Sequence, residues 1–177
     1  MLIRPAVLAD AEAIRDIYNP EVLDSTVTFD LRPRTLEEQQ QWIVDRSGAH
    51  AAIVAVDDDG ALVGFGSLSS YKDRAGYSTT VEDSVYVHRG HHGQGIGRAL
   101  LAELLERARR HGFHAVMARI VRGHEASIAL HTRLGFEVVG TEREVGRKFG
   151  RWLDVVVMEQ ILTGDGGPSA TPRPPRV

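Results

Sequence analysis

The sequence predicts one α/β domain in which helices cover the faces of a mixed sheet. Two kinds of segment alternate along the chain. Some have the strand pattern, with alternating apolar and polar residues or a short apolar run, and others have the helix pattern, with apolar residues every three or four positions. The resulting order is strand, two helices, three strands, helix, strand, helix and two strands, which favours a mixed sheet with helices on its faces. The chain has 177 residues, 42% hydrophobic and 25% charged, which suits one well-buried domain.

The first half of the chain contains two predicted helices and four predicted strands. A short strand at 2–4 precedes a helix at about 9–22, whose apolar residues share one face. Thr35 and Glu38 have the spacing of a capping box, which predicts that a second helix begins there and runs through Ile43. Further strands are predicted at 51–56, 62–71 and 77–87, with a turn at 57–60.

The second half begins with the clearest helix in the chain, at 96–111. Its leucines and Ile96 form one apolar face, and Gly112 is positioned as its C-terminal cap. A buried strand at 115–121, a helix at 125–134 closed by Gly135, and strands at 137–144 and 152–161 are then predicted.

The last segment, 163–177, has a different composition from the rest. It reads TGDGGPSATPRPPRV, rich in glycine and proline with almost nothing to bury. Such a composition predicts a disordered tail. The folded domain is therefore expected to span residues 1–162.

Composition excludes several classes of function. The formal net charge is −3, so the chain has no excess of positive charge for binding nucleic acid. It has no cysteine, which excludes disulfides, thiolate metal sites and a cysteine nucleophile. It has no signal-peptide core and no apolar stretch near the roughly 20 residues of a membrane span. A cytoplasmic protein that binds neither nucleic acid nor membrane is expected.

A glycine-rich loop between the strand at 77–87 and the helix at 96–111 predicts an anion site. Glycines let the backbone approach a ligand, and the first N–H groups of a helix lack internal partners. The loop does not fit the dinucleotide pattern, because Arg98 stands where Gly93 and Gly95 would require a third glycine. It also lacks the Lys-Ser/Thr of a P-loop. The alternative is a glycine-rich turn that only caps a structural helix.

The loop and several distant motifs resemble the GNAT superfamily of acyl-CoA N-acyltransferases. Gly95-Ile96-Gly97 between a strand and a helix is similar to the superfamily's glycine pattern. Segments 80–87, 127–136 and 148–155 resemble its phosphinothricin N-acetyltransferase subfamily, and the resemblance covers nearly all of 1–162. It implies a central, mostly antiparallel sheet with helices on both faces, acetyl-CoA as cosubstrate, and a homodimer that completes the pocket. No metal is expected.

The resemblance also implies a set of cofactor-binding positions. These are Val85, Tyr86, Val87, His92, Gly93, Gln94, Gly95, Ile96, Gly97, Arg98, His124 and Ser127. Two of them depart from the family: His92 stands where Arg or Gln is usual, and His124 where Asn is usual. Binding is expected to survive at His92, because the family uses backbone amides there, whereas cofactor contact at His124 is expected to be altered.

Two side chains are candidates for the chemistry of acetyl transfer. Glu82, in the strand before the loop, could remove a proton from the acceptor amine if burial raises its pKa; the alternative is a solvent-facing or ion-paired carboxylate. His131 could protonate the leaving thiolate, and histidine has a suitable pKa; the alternative is a structural histidine. The resemblance favours the catalytic role for both. It also implies that a backbone N–H near Val87 polarises the thioester carbonyl.

The histidines beside the glycine loop admit a second interpretation. His88, His91 and His92 could in principle bind a metal, but no carboxylate stands at ligand spacing. A loop that contacts the 3′-phosphate of the cofactor, with help from Arg89 and Arg98, is favoured.

The resemblance implies that the acceptor is the α-amino group of a small amino-acid analogue such as phosphinothricin, methionine sulfoximine or methionine sulfone. Lys72, Arg74 and Tyr77 precede the Glu82 strand and could bind the anionic groups of such a molecule, and Phe29 could form a pocket wall. Two alternatives stay open: a GNAT enzyme for another amine, such as a protein N-terminus or an aminoglycoside, and a non-catalytic acyl-CoA-binding module.

Overall fold

The computed structural model describes residues 1–162, so the tail predicted at 163–177 lies outside the described residues. The strands are β1 (Leu2–Pro5), β2 (Ala52–Val56), β3 (Leu62–Ser70), β4 (Thr80–Val87), β5 (Ala115–Val121), β6 (Glu137–Lys148) and β7 (Arg151–Ile161). The α-helices are α1 (Ala11–Asp24), α2 (Leu36–Val44), α3 (Ile96–Arg110) and α4 (Glu125–Arg133). The predicted order of elements is confirmed.

The strands form one mixed sheet in the order β1-β2-β3-β4-β5-β7-β6. Each neighbouring pair is antiparallel except β4 and β5, which are parallel. Parallel neighbours need a long crossover connection, and here the glycine loop and α3 provide it. The predicted α/β fold with a mostly antiparallel sheet is therefore confirmed.

Helices cover both faces of the sheet, as alternation along β2 illustrates. Ile53 and Ala55 pack with the leucines of α3, whereas Val54, between them in sequence, packs with Ile14 and other residues of α1. Successive side chains of a strand point to opposite faces, so each face has its own core. Among residues 1–162, no helix has both the length and the hydrophobicity of a membrane span.

Two element boundaries differ from the predicted ones by three residues or more. β4 begins at Thr80 rather than at 77, because Ala75–Tyr77 forms a 3-10 turn before it. β6 continues to Lys148 rather than ending at 144, because the strand passes through an irregularity. Glu144 has a φ of 51° there, and the pairing with β7 shifts register between Glu142 and Gly146. The capping box at α2 is confirmed by reciprocal hydrogen bonds of Thr35 and Glu38.

Candidate active site

The central feature of the site is a cleft where β4 and β5 separate. The two strands pair only from Thr80 to Glu82, opposite Ala115 to Met117, although β4 runs on to Val87 and β5 to Val121. A cavity of about 780 Å³ fills the cleft and is lined by the separated parts of both strands, the start of α4 and the segment after α1. The fold therefore opens its sheet next to Glu82.

The backbone of β4 presents N–H groups to this cleft. The His88 N–H donates to the Val63 carbonyl of β3 at 2.9 Å. Because N–H groups alternate in direction along a strand, those of Val85 and Val87 point to the opposite edge, from which β5 has diverged. The carbonyl of Val87 also lies on this edge, where it accepts a hydrogen bond from His92 Nε2 at 3.0 Å.

The glycine loop leads from this edge into α3. Gly93 and Gly95 have φ values of 78° and 82°, in the left-handed region that favours glycine. Gly95 is the N-cap of α3, and its carbonyl accepts the N–H of Ala99 at 3.0 Å. The three N–H groups between them, at residues 96–98, have no partner within the helix. At the start of a helix of 15 residues, these groups fit a phosphate.

The members of the loop differ in what they offer. Gln94 and Arg98 are exposed, whereas the side chain of Ile96 is buried in the core against α3's own leucines. A contact from Ile96 to a ligand is therefore restricted to its backbone. Residues 93–98 do not line the cleft cavity, which reaches only as far as Val87 and His92 at this end.

His131 is buried beneath the cleft in an ion pair that the sequence did not predict. Its Nε2 lies 3.1 Å from Asp83 Oδ2, and its Nδ1 lies 2.7 Å from the carbonyl oxygen of Ser127. Both partners accept hydrogen bonds, so the ring is suited to carry a proton on each nitrogen. Burial alone would lower the pKa of His131, but the hydrogen bond and charge of Asp83 outweigh it and raise that pKa.

The other oxygen of Asp83, Oδ1, is buried without a hydrogen-bond partner among the described residues. Asp83 also lines the cavity, so this unpartnered oxygen belongs to a residue of the cavity wall. The side chains of Asp83 and His131 are 2% and 5% exposed, which keeps their interaction in a poorly solvated environment.

Glu82 lines the same cavity from the other face of the sheet. Val81, Asp83 and Val85 point toward α3 and α4, whereas Glu82 points to the side on which Tyr86 packs with α1. Burial raises the pKa of Glu82, as a base working near neutral pH requires. Arg119 opposes that shift, and the charges of Asp83 and Glu142 add to it.

The segment after α1 closes one side of the cavity. Thr26 Oγ1 lies 3.0 Å from Nε2 of His124, which is the residue before α4. Burial lowers the pKa of His124. This contact joins two segments 98 residues apart through the imidazole of His124, which stands where the family usually has Asn. His124 therefore lines the cavity and also holds its wall in place.

The irregular end of β6 supports the same segment. Lys148 is 3% exposed, and its Nζ donates to the carbonyl of Thr28 at 2.8 Å. Burial lowers the pKa of this amine. The Phe29 ring lines the cavity and packs directly over Gly146, where a Cβ would overlap it. No local pattern predicted this support, since the partners are more than 100 residues apart.

The predicted acceptor residues are distributed unevenly. Phe29 and Glu82 line the cavity, but Lys72, Arg74 and Tyr77 do not. These three are exposed in the segment before β4, with Lys72 Nζ 5.1 Å from the centre of the Tyr77 ring. The arginine that does line the cavity, Arg119 of β5, was not predicted.

Arg89 and the histidines at 88 and 91, beside the glycine loop, have partners within the protein. Arg89 Nε donates to Glu21 Oε1 at 2.6 Å and so joins the loop to α1, rather than standing free for a phosphate. His88 and His91 contact each other through their Nδ1 atoms at 3.2 Å. Within residues 1–162, no group of three or more His, Asp or Glu side chains is arranged to hold a metal.

Comparisons with known proteins agree with this architecture. Residues 3–157 match the family model described as an acetyltransferase (GNAT) domain. L-methionine sulfoximine/L-methionine sulfone acetyltransferase of Pseudomonas aeruginosa is 42% identical over 161 residues, covering 90% of this chain and 94% of the relative. Phosphinothricin N-acetyltransferase of Streptomyces coelicolor is 40% identical over 163 residues, covering 90% and 95%.

A solved structure gives the same result in three dimensions. The GNAT phosphinothricin acetyltransferase of Sinorhizobium meliloti, in complex with acetyl-CoA, superposes with a TM-score of 0.88. It is 36% identical, with 96% of this chain and 94% of that chain covered.

Proposed function

We propose that this chain, which belongs to the GNAT acetyltransferase family and is an acetyl-CoA-dependent N-acetyltransferase, acetylates the α-amino group of a small amino-acid analogue. Relatives that align over nine-tenths of the chain are named for methionine sulfoximine, methionine sulfone and phosphinothricin. The observation that carries the proposal is the β4–β5 cleft, where Glu82, the Asp83–His131 pair and two backbone N–H groups meet at one cavity.

The residues around the cleft fit acetyl-CoA. The left-handed glycines and the free N–H groups at the start of α3 suit its pyrophosphate, and exposed Arg98 suits an outer phosphate. The N–H groups of Val85 and Val87 suit an extended amide-containing arm lying along β4 as an additional strand would. Acetyl-CoA supplies the acetyl group as a thioester, so a C–N bond forms as a C–S bond breaks.

Glu82 removes the proton that the acceptor nitrogen must lose. Its raised pKa makes it a stronger base than an exposed glutamate, and its place on the α1 face leaves the opposite face to the leaving group. The Val87 N–H donates to the carbonyl oxygen on which negative charge develops.

His131 donates its Nε2 proton to the thiolate sulfur. The sulfur must compete for this proton with Asp83 Oδ2, which accepts it in the resting site. Asp83 keeps His131 protonated before the transfer, and the Ser127 carbonyl fixes the ring through Nδ1. A thiol is already a fair leaving group, so this proton adds less to the rate than the base does.

Substitution of the base tests the proposal. Glu82→Gln keeps the shape and removes the proton acceptor, and kcat with methionine sulfone or phosphinothricin should fall by roughly 10²- to 10⁴-fold. Binding of acetyl-CoA, measured by calorimetry, should stay at the wild-type value. Glu106→Gln, on the exposed side of α3, is the matched control and should keep full activity. Unchanged turnover by Glu82→Gln would show that another group is the base.

We also propose that two chains associate through the β6–β7 hairpin. β6 is a 12-residue strand at the edge of the sheet, and an uncovered edge readily pairs with another chain. Val138, Val139, Phe149 and Trp152 in or beside this hairpin are each more than half exposed. Such an exposed apolar surface favours a protein–protein contact.

A further inference from the structure

The charges around the cavity are unbalanced in a way that bears on the acceptor. The lining includes the carboxylates of Glu21, Glu82, Asp83 and Glu125. Among the residues of 1–162 that line it, Arg119 is the single arginine or lysine. An acceptor with a carboxylate needs a cation in such a cavity, because an unpaired buried carboxylate is costly.

Arg119 lies on the same face of the sheet as Glu82. Its neighbours in β5, Ala118 and Ile120, pack in the core against α3, so Arg119 points to the opposite face. Glu82 pairs in register with Met117, two residues before Arg119, where the strands begin to separate. Burial is the main influence on the pKa of Glu82, and the opposing effect of Arg119 means that its charge reaches the carboxylate.

The guanidinium of Arg119 already holds a carboxylate at this wall. Its NH2 group pairs with Oε2 of Glu142, which belongs to β6. The two side chains are 35% and 40% exposed, and ion pairs this accessible to water are weak. A carboxylate brought by a ligand could therefore replace Glu142 without leaving a deeply buried charge behind.

We propose that Arg119 binds the α-carboxylate of the acceptor in exchange for Glu142, and thereby selects amino acids over simple amines. The inference rests on the proposed function and adds the residue that recognises the acceptor's carboxylate. The α-ammonium and α-carboxylate of one amino acid then face Glu82 and Arg119, which share one side of the cleft. A planar guanidinium suits this role because it can bind both oxygens of a carboxylate.

The test compares an amino acid with the amine that lacks its carboxylate. Steady-state kinetics would be measured with methionine sulfone and with 3-(methylsulfonyl)propylamine, at saturating acetyl-CoA. Arg119→Met should lower kcat/KM for methionine sulfone by about ten- to a hundredfold, mainly through KM, which corresponds to losing one charge-assisted contact. The value of kcat/KM for the amine should be the same in Arg119→Met as in the wild type. The variant therefore loses the preference for the amino acid.

Two further variants bracket the result. Arg122→Met removes the next arginine along the chain, which pairs with Asp154 and does not line the cavity, and it should keep the wild-type preference. Glu142→Gln frees Arg119 and should lower KM for methionine sulfone severalfold while leaving the amine unchanged.

Each result separates this inference from the proposed function. Wild-type protein that acetylates no α-amino acid analogue would refute the proposed function, and calorimetric binding of methionine sulfone to wild type and Arg119→Met would then test Arg119 by itself. Equal loss for both acceptors, or no loss for either, overturns the inference. Phosphinothricin is measured as a third acceptor. If Arg119→Met lowers kcat/KM for phosphinothricin but not for methionine sulfone, Arg119 binds the anionic side chain, and the assignment to the α-carboxylate is wrong.

Discussion

Replacing Gly95 with alanine tests whether the loop geometry, rather than its side chains, holds the cofactor. Gly95 has φ 82° and ψ −2°, and a Cβ there would meet no atom within 4 Å. The cost of alanine is therefore conformational, roughly 1–2 kcal/mol for the left-handed region. Alanine also restricts the unfolded chain, which stabilises the folded protein by about 0.4–1 kcal/mol and offsets part of this cost. We expect a net loss near 1 kcal/mol and a fall in Tm of about 2–4 °C.

The larger effect should be on the cofactor. If residue 95 relaxes from the left-handed region, the N–H groups of residues 96–98 no longer point at a common centre. Losing one hydrogen bond to a charged group costs about 1.5–3 kcal/mol, which is roughly ten- to a hundredfold in Kd for acetyl-CoA. Calorimetric titration gives this Kd, and thermal unfolding without cofactor gives the Tm.

Gly60→Ala is a closely matched control. Gly60 lies in the β2–β3 turn with φ 86° and likewise has open space around its Cβ position. It should show a similar loss of Tm and an unchanged Kd. If Gly95→Ala binds acetyl-CoA with wild-type affinity and its Tm falls only as in Gly60→Ala, the left-handed conformation of Gly95 does not orient the N–H groups of residues 96–98 toward the cofactor.

Three other variants test the acid, the pocket wall and the dimer. The pKa of His131 is higher in the folded protein than in the unfolded chain, where it is about 6.5. The ion pair with Asp83 therefore stabilises the fold fully below pH about 6.5, and this stabilisation is lost as the pH rises through the folded-state pKa. Asp83→Asn should abolish that pH dependence in urea unfolding; a persisting loss over the same window would contradict it. Gly146→Ala should push the Phe29 ring aside, raising KM for the acceptor severalfold at an unchanged Kd for acetyl-CoA, with about 1 kcal/mol of overpacking cost. Trp152→Glu should convert the proposed dimer to a folded monomer in light scattering, because Trp152 is 61% exposed and supports no core; a wild-type monomer would refute the dimer, and a dimer that persists in the variant would place the interface elsewhere.

Local sequence signals predicted the fold well because each depends on near neighbours. The Thr35–Glu38 capping box needs only three residues of spacing, and the glycine loop needs only the strand and helix beside it. β6 was predicted too short because its continuation depends on a bulge at Glu144, whose N–H is held by Asp154 of the next strand. Nothing in the local pattern around Glu144 indicates that partner.

The candidate site was harder to predict where it depends on topology. Lys72 and Arg74 stand near Glu82 in sequence, but the 3-10 turn before β4 leaves them outside the cavity lining. Arg119 is 37 positions from Glu82 and reaches the cavity only because β5 pairs beside β4. Sequence proximity was therefore a poor guide to which charged side chains line the cavity.

In the proposed mechanism, Glu82 and Asp83 let one strand serve two opposite proton transfers. Alternation along β4 sends these consecutive carboxylates to opposite faces, one into the acceptor side and one onto His131 of α4. Burial raises the pKa of Glu82, which strengthens a base, whereas the partnership with Asp83 raises that of His131, which preserves an acid. The parallel pairing with β5 stops at Glu82, so the cleft opens at the residue where these two environments diverge. A one-residue slip of β4 would exchange the faces and place the base against α4, so the register of β4 on β3 fixes which carboxylate can be the base.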